Sequence, residues 1–476
     1  MGTWGTRSRG GHAVLPRLLV GLALGVAGVL AGSGGALAAT TYTSCPTFSQ
    51  FQSDVQAITG TDTVTFGAGA ANCALTATSA ITIPATASVT IHGNGLVLAA
   101  GTAGAPGGFD LFDLVDTAGL SLDNATLEYG QEGIGTRVAE NDPVTLTEST
   151  VRGNSSEGVV AYSLTMTNST VTGNGGNGIA GFTDTVTNST LSGNGGYGVV
   201  ANHLTMTNGT ISGNGLGAIV VENSPTVDAT IFDGNGNENC GAGSPPADQG
   251  YNLSTDSSCG FSATGSQNNV TPAQLNLQPL ANNGGPTQTQ ALGPGSIALD
   301  AIPLNAGSCA VGATTDQRGV ARPQGPGCDV GAYELIVPTV TPTNATAQDV
   351  DTSVTLSATV TSPAGTVNEG TVTFTVTDAT NTVVGTATSG NVSTGSASVS
   401  YPLPGTLAPG PYTITAAYHD PAGNFADSSG TATLTITPGP PASLTLAPGN
   451  TTATVGTTLT ETATVQDALG YPVADG

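Results

Sequence analysis

The 476-residue sequence contains no lysine; its seven basic residues are all arginine, against 32 acids, for a formal charge of −25. Arg7, Arg9 and Arg17 fall in the first 38 residues, which hold no acid, so the remainder carries 4 arginines against 32 acids, or −28. Such a chain has no cationic surface for nucleic acid or an anionic membrane. Without lysine there is no Schiff-base or phosphate-binding amine, which excludes pyridoxal enzymes and P-loop nucleotide hydrolases. Lysine-dependent isopeptide cross-links are excluded too. Charged residues make up only 8% and aromatics only 4%. A helical protein of this size needs many Lys, Glu and Arg on its outer faces. What is present instead is Thr, Ser, Asn and 69 glycines, the composition of short strands and tight turns.

The N-terminus reads as an export signal. A basic start, Met1–Arg17, leads into the apolar stretch Leu18–Leu30, and Ala36-Leu37-Ala38 supplies small residues for cleavage. The stretch is Gly-rich and short of the roughly 20 residues that span a bilayer. Residues 1–38 are therefore expected to be a signal peptide, with no other segment apolar enough to insert in a membrane. Trp4, the one tryptophan, would be lost with it.

Export gives meaning to the six cysteines, which are even in number and placed in an oxidising compartment. Six allow fifteen connectivities. Neighbour pairing is expected, Cys45–Cys73, Cys240–Cys259 and Cys309–Cys328, because each pair brackets an irregular segment. No two cysteines lie at CxxC distance and no histidine is near them, which speaks against zinc.

The strongest signal is an internal repeat. Val144–Asn154 aligns with Leu164–Asn174, Asp184–Asn194 and Leu204–Asn214, each offset by 20 residues; Thr226–Asn235 follows at 21, and Leu120–Leu127 precedes the Val144 copy by 24. Apolar and polar residues alternate within each copy, the period of a strand. A glycine then introduces a second apolar run, such as Val159-Val160 or Ile179-Ala180. A unit this small cannot close its own core, but stacked as coils of a solenoid it pairs its backbone with the coils above and below. Val151, Val171, Leu191, Ile211 and Phe232 form one interior column; Leu122, Leu146, Met166, Val186 and Met206 form another. Asn154, Asn174, Asn194, Asn214 and Asn235 form an asparagine ladder at a turn. Thr and Ser are assigned to outward columns. The expected fold is an all-β parallel β-helix, with about 8–9 coils from 61 to 235 at roughly 4.8 Å each. A β-propeller blade needs about 40 residues, twice this period. Phe48, Phe51, Val55 and Ile58 are expected to cap the first coil, and Cys240–Glu334 to close the other end.

Four phrases then follow in order: Asn282–Leu292 (NNGGPTQTQAL), Gly295–Asp300 (GSIALD), Thr315–Pro323 (TDQRGVARP) and Gly327–Glu334 (GCDVGAYE). Together with Cys45 and Val64-Thr-Phe66 they resemble the choice-of-anchor Q bacterial surface proteins over about residues 41–335. That resemblance implies a right-handed parallel β-helix ending in this block, an exported protein at the cell surface or outside the cell, and a variable C-terminal anchor. Arg318 and Arg322 fall in the block, where pairing with acids such as Asp316 and Asp329 is expected.

After Leu335 the cysteines stop and prolines mark the joints. Period-two runs, among them Val354–Val360, Thr371–Val376, Ala397–Tyr401, Tyr412–Tyr418 and Ala432–Ile436, predict a β-sandwich. The phrases Gly370–Phe374, Leu407–Gly410 and Tyr412–Tyr418 resemble bacterial Ig-like repeat domains. Ser443–Leu446, Thr458–Val465 and Asp467–Val473 resemble the opening of an invasin/intimin-type Ig-like domain. Thirty-five residues are too few to bury a sandwich core. The predicted organisation is a signal peptide (1–38), a β-helix with its cap and disulfide-containing block (39–335), an Ig-like sandwich (336–438) and the incomplete start of a second (442–476).

Glycan hydrolysis needs two carboxylates in a groove at about 5–10 Å. Asp113, Asp116, Asp123, Glu128 and Glu148 are crowded in sequence, and Asp113, Asp123, Glu128, Glu148 and Asp184 are the candidates. Glu128 and Arg152 share an outward column on adjacent coils, as a surface ion pair would. Asp184 stands where neighbouring coils have Leu164 and Leu204; it reads as a ligand-facing acid or as a coil edge open to water. A β-eliminating lyase would need a basic residue, and only Arg137 and Arg152 lie in the coils. His92, His203 and His419 lack spaced partners. No cofactor is expected, with calcium at Asp349, Asp351, Asp420 or Asp427 as the one candidate. Two functions fit. The first is a noncatalytic, adhesin-like surface or extracellular protein whose β-helical head binds a carbohydrate or protein. The second is a secreted polysaccharide lyase or hydrolase that uses acids on the helix.

Overall fold

A computed structural model describes residues 39–136, 141–309, 315–362, 365–405, 407–422, 424–447 and 452–473. Residues 1–38, expected from the sequence to be a signal peptide, and Arg137 lie outside the described residues.

The repeat folds as a parallel β-solenoid of about ten turns. It extends beyond the sequence-based span, from Thr40–Tyr42 to Leu253–Ser254. Three sheets enclose the core. The first joins 61–65, 88–92, 119–123, 143–147, 163–167, 183–187 and 203–207. The second joins 74–76, 97–99, 126–128, 150–152, 170–172, 190–192, 210–212 and 231–233. The third joins 81–83, 112–114 and 134–136, and continues through Val159, Ile179, Val199 and Ile219. Strands such as Val159–Thr167 bend at a corner and serve two sheets.

The register places like on like. Val151, Val171, Leu191, Ile211 and Phe232 are fully buried, as are Leu146, Met166, Val186 and Met206. Each such side chain contributes roughly 1.5–3 kcal/mol of burial.

Turns repeat as strictly as strands. Asn124, Glu148, Asn168, Asn188, Asn208 and Ala229 all adopt left-handed backbone, with φ between 45° and 52°. Asparagine tolerates that region better than most residues, which explains its recurrence. The next residue makes a ladder that the sequence reading assigned to the outside. The Ser149 amide donates to Ser169 Oγ and the Ser169 amide to Ser189 Oγ, both at 3.1 Å. Ser169 and Ser189 are fully buried, so these serines belong to the interior.

The asparagine ladder stands at the other turn. Nδ2 of Asn154, Asn174, Asn194 and Asn214 donates to Oδ1 of the asparagine one coil on, at 2.8, 2.9, 2.9 and 2.8 Å. Each of these Oδ1 atoms also accepts the backbone amide of the preceding ladder residue, at 3.0–3.2 Å. The column ends where Asn235 Nδ2 donates to Asn239 Oδ1.

The helix Phe48–Gln56, N-capped by Thr47, lays Phe48, Phe51 and Val55 against the first coil, with Phe51 5.5 Å from Phe66. Disulfides join Cys45 to Cys73, Cys240 to Cys259 and Cys309 to Cys328. They close loops of 28, 19 and 19 residues, each constraining the unfolded chain by roughly 3 kcal/mol.

The end block departs from its expected place. Only its first part covers the last coil, where Phe261 packs 5.5 Å from Phe232. The remainder turns back along the second sheet. Thr170 Oγ1 donates to the Gln288 carbonyl at 2.7 Å, Thr190 Oγ1 to Gln317 Oε1 at 2.7 Å, and the Ala332 amide to Thr210 Oγ1 at 3.0 Å. Gln317 Nε2 reaches Thr170 Oγ1 and Thr287 Oγ1 at 2.8 and 2.9 Å. The threonine column assigned to the outside is therefore buried on this sheet. Arg318 pairs with Asp316 at 2.7 Å and lies 3.6 Å over the Tyr333 ring. Arg322 takes the Glu334 carboxylate, at 2.9 Å, and not that of Asp329, whose backbone carbonyl it bonds instead.

Residues 339–437 form two sheets around one core that includes Leu356, Val372, Phe374, Tyr401, Tyr418 and Leu434. One sheet joins Thr339–Pro342, Ser353–Ser362, Gly365–Thr366 and Ser396–Pro402; the other joins Ala345–Gln348, Ser428–Thr437, Gly410–His419, Thr371–Thr377 and Val383–Asn391. A hairpin follows, Ser443–Ala447 with Thr462–Gln466, and Leu444 and Leu446 on it are exposed.

Replacing Asn194 by alanine removes two donors and one shared acceptor from the buried column; the Asn174 backbone amide loses its acceptor, while Asn214 Oδ1 keeps the Asn194 amide. The expected loss is about 3 kcal/mol in denaturant unfolding. The surface change Thr185→Ala should stay within about 0.5 kcal/mol of wild type.

Candidate functional site

The five candidate acids do not converge. Asp113 stands on the third sheet, paired in register with Gly135. Asp123 stands on the first sheet and contacts His92 at 3.1 Å, a pair the sequence reading missed. Glu128 stands on the second sheet and takes Arg152 at 2.6 Å. Glu148 occupies a left-handed turn between the first and second sheets. Asp113, Asp123 and Glu128 thus belong to different faces, a consequence of the three-sheeted cross-section, while Glu148 follows Thr147, the register partner of Asp123 one coil away. Their closeness in sequence came from successive sides of the same coils.

Asp184 is the fifth, and neither sequence reading describes it. It is not ligand-facing and not at an open edge: it points into the core between Leu164 and Leu204 and is 1% exposed. Neither carboxyl oxygen makes a well-formed hydrogen bond among the described residues, although the Leu164 amide lies against the group. Room comes from Gly181, where neighbouring coils have Ala161 and Ala201. A Cβ at Gly181 would lie 2.0 Å from Asp184 Oδ1. Burial pushes the Asp184 carboxyl up to about 8, offset in part by the Leu164 amide. Burial, with Asp116 adding to it, also pushes Asp142 up to about 6.

The acids considered for calcium also disperse. Asp420 caps the turn that follows it, accepting the amides of Ala422, Asn424 and Phe425. Asp427 contacts His419 at 2.8 Å and Asp351 accepts the Gln348 amide. Asp349 instead meets Asp467, a residue the sequence reading did not connect with it. Among the described residues no three His, Cys, Asp or Glu form a metal-binding group. No helix among them is long and apolar enough to cross a membrane.

A cleft of about 360 Å³ opens beside Asn283, Gly284, Gly285, Arg318 and Ile336. Its one charge is committed, since Arg318 bonds Asp316 and the Asn283 and Glu334 carbonyls. The outer surface of the first sheet is open as well. Thr145, Thr165, Thr185 and Thr205 stand in one column, and Thr147, Thr167, Thr187 and Thr207 in the next. Thr165, Thr185 and Thr205 are exposed. Their β-branched side chains hold few rotamers, so methyls and hydroxyls recur at the strand spacing of roughly 4.8 Å.

A family described as the right handed beta helix region matches residues 113–274. Among solved structures the chain is similar to the chitinase ChiW of Paenibacillus sp. str. FPU-7, described as a bacterial cell-surface-expressed multi-modular enzyme. Identity is 11% and the TM-score 0.16, and the match covers 78% of this chain and 24% of that one. A likeness of that size carries no inference about this chain. No curated protein matches the sequence.

The raised carboxyls set a pH dependence. The folded state holds protons on Asp184 up to about 8 and on Asp142 up to about 6, whereas the unfolded chain releases them near the ordinary 3.8. Stability should therefore be highest in acid, fall as pH rises from about 4 to about 8, and flatten above. Asp184→Leu should make that slope shallower, the rest staying with Asp142 and with Asp329, which burial pushes up to about 7, and raise stability at pH 8 by a few kcal/mol, on the order expected from linkage. Urea unfolding at several pH values measures both.

Proposed function

We propose that this is an exported, noncatalytic protein of the cell surface or extracellular space, adhesin-like, in which the β-helix is the binding head. Support for export comes from the three disulfides, which persist in oxidising compartments. The four end-block phrases support a resemblance to the choice-of-anchor Q proteins. The two-sheet unit serves as an Ig-like spacer, and the hairpin after it as part of a further one.

One observation carries the binding role. The second sheet is covered by the end block, while the first sheet presents two uncovered, uncharged threonine columns over four consecutive coils. A repetitive partner, a polysaccharide or an extended protein surface, would be held there by shape and hydrogen bonds. Dispersal of the candidate acids weighs against a hydrolase, which needs two of them in one groove.

The test is a glycan and matrix-protein array probed with the whole chain, alongside Thr185→Lys/Thr187→Lys. Retained binding partners should be lost in the double variant without change in its circular dichroism. Release of reducing ends from pectin, alginate or another glycan, abolished by Asp113→Asn or Asp123→Asn, would overturn the noncatalytic reading.

A further inference from the structure

One outward column of the first sheet runs further than the four coils described above. In register, Thr63 is followed by Thr90, Ser121 and Thr145, and then by Thr165 through to Thr226, so every coil between them places a hydroxyl there. The second column, two residues on, is threonine from Thr147 to Thr207 and meets an acid at each end, Asp123 and Asp228. The column on the other side holds Ser163, Thr183 and His203. Pairing of 143–147, 163–167, 183–187 and 203–207 runs without a register shift; beyond them a shift enters where the coil of Thr226 joins. Across those coils neither threonine column carries an acid or a base, in a chain with 32 acids.

A rigid array has a property that a single hydroxyl lacks. Threonine holds few rotamers, and the serine and asparagine ladders fix the coils, so hydroxyls and methyls keep the spacing of the backbone. That spacing is about 6.6 Å between the columns along a strand and about 4.8 Å from coil to coil. Oxygen atoms on a prism face of hexagonal ice repeat on a rectangle close to those two dimensions. Water bonded to the hydroxyls and confined between the methyls is thereby set near lattice positions before it meets a crystal. Charge complementarity points the same way. An ion gathers water into a shell that the ice lattice does not accommodate, and these columns carry no ion. A dissolved glycan gains less from them. Exchanging water's hydrogen bonds for those of exposed hydroxyls is nearly neutral, and the columns offer no aromatic face to stack on.

We propose that the threonine columns of the first sheet bind ice, the partner being the water lattice of a crystal and not a dissolved molecule. This rests on the reading of the first sheet as the binding face and names its partner. Adsorbed rods pin a growing crystal, since the front can advance only by bulging between them, and the freezing point then falls below the melting point.

Nanolitre osmometry of the whole chain tests this, beside Thr185→Lys/Thr187→Lys and a charge-matched control, Thr433→Lys/Thr435→Lys, at two exposed positions of the sandwich. The wild type should open a gap between melting and freezing points that grows with protein concentration, and should be enriched in slowly grown ice. The first-sheet variant should lose both responses while keeping its circular dichroism, and the sandwich variant should keep them. A wild-type chain with neither gap nor enrichment overturns the proposal, as does a gap that survives Thr185→Lys/Thr187→Lys. The glycan and matrix-protein array separates that failure from failure of the binding face. No ice response, with array binding lost in the first-sheet variant, overturns ice as the partner and leaves the face; array binding that the variant does not move overturns the face as well.

Discussion

Each coil of the β-helix passes its buried polar groups to the next, and the rest of the structure depends on that exchange. An asparagine column at one turn and a serine column at the other satisfy backbone amides that a tight corner would leave without partners. Satisfied in this way, the corners hold the register, and the register stacks the interior side chains. A one-residue slip would turn every interior valine and leucine to the outside. The ladders are neutral, so they hold the coils without charge, in a chain that has almost no base to offer.

Three of the four arginines beyond the first 38 residues make the same point. Arg318 and Arg322 are spent inside the end block, where they tie its strands to Asp316 and Glu334. Arg152 answers Glu128. Acids elsewhere are handled in other ways: some cap turns, as Asp420 does, and Asp184 is buried where its charge is disfavoured. Across its four threonine-bearing coils the uncovered sheet presents mainly hydroxyls and methyls, with His203 beside them and Asp123 and His92 on earlier coils. A surface of that kind selects partners by repeat and shape, and salt has little hold on it.

Much of this was legible in the sequence because it is periodic. The 20-residue offset placed Val151, Val171 and Leu191 in one column and Asn154 to Asn235 in a ladder, and the alternation of apolar and polar residues did the same for the sandwich strands. What escaped were contacts between positions far apart. The return of the end block along the second sheet joins Thr170 to Gln288 and Thr190 to Gln317, and no local pattern announces it. Asp184 is a different case. Its parity placed it with Leu164 and Leu204, inside, but its charge argued for the outside. The companion change at Gly181 was the signal that parity should win. Crowding in sequence did not reveal which candidate acids share a face, because Asp113, Asp123 and Glu128 turn a corner of the coil and end on different sheets.

Hydrogen exchange of the native protein, read by mass spectrometry at neutral pH, tests most directly whether neutral ladders hold the coils. The backbone amides of Asn174 and Asn194, each bonded to the next asparagine side chain, should be among the slowest in the molecule and insensitive to added salt. Exchange there as fast as at the exposed turn around Gly104, or protection that falls away with salt, would contradict the account.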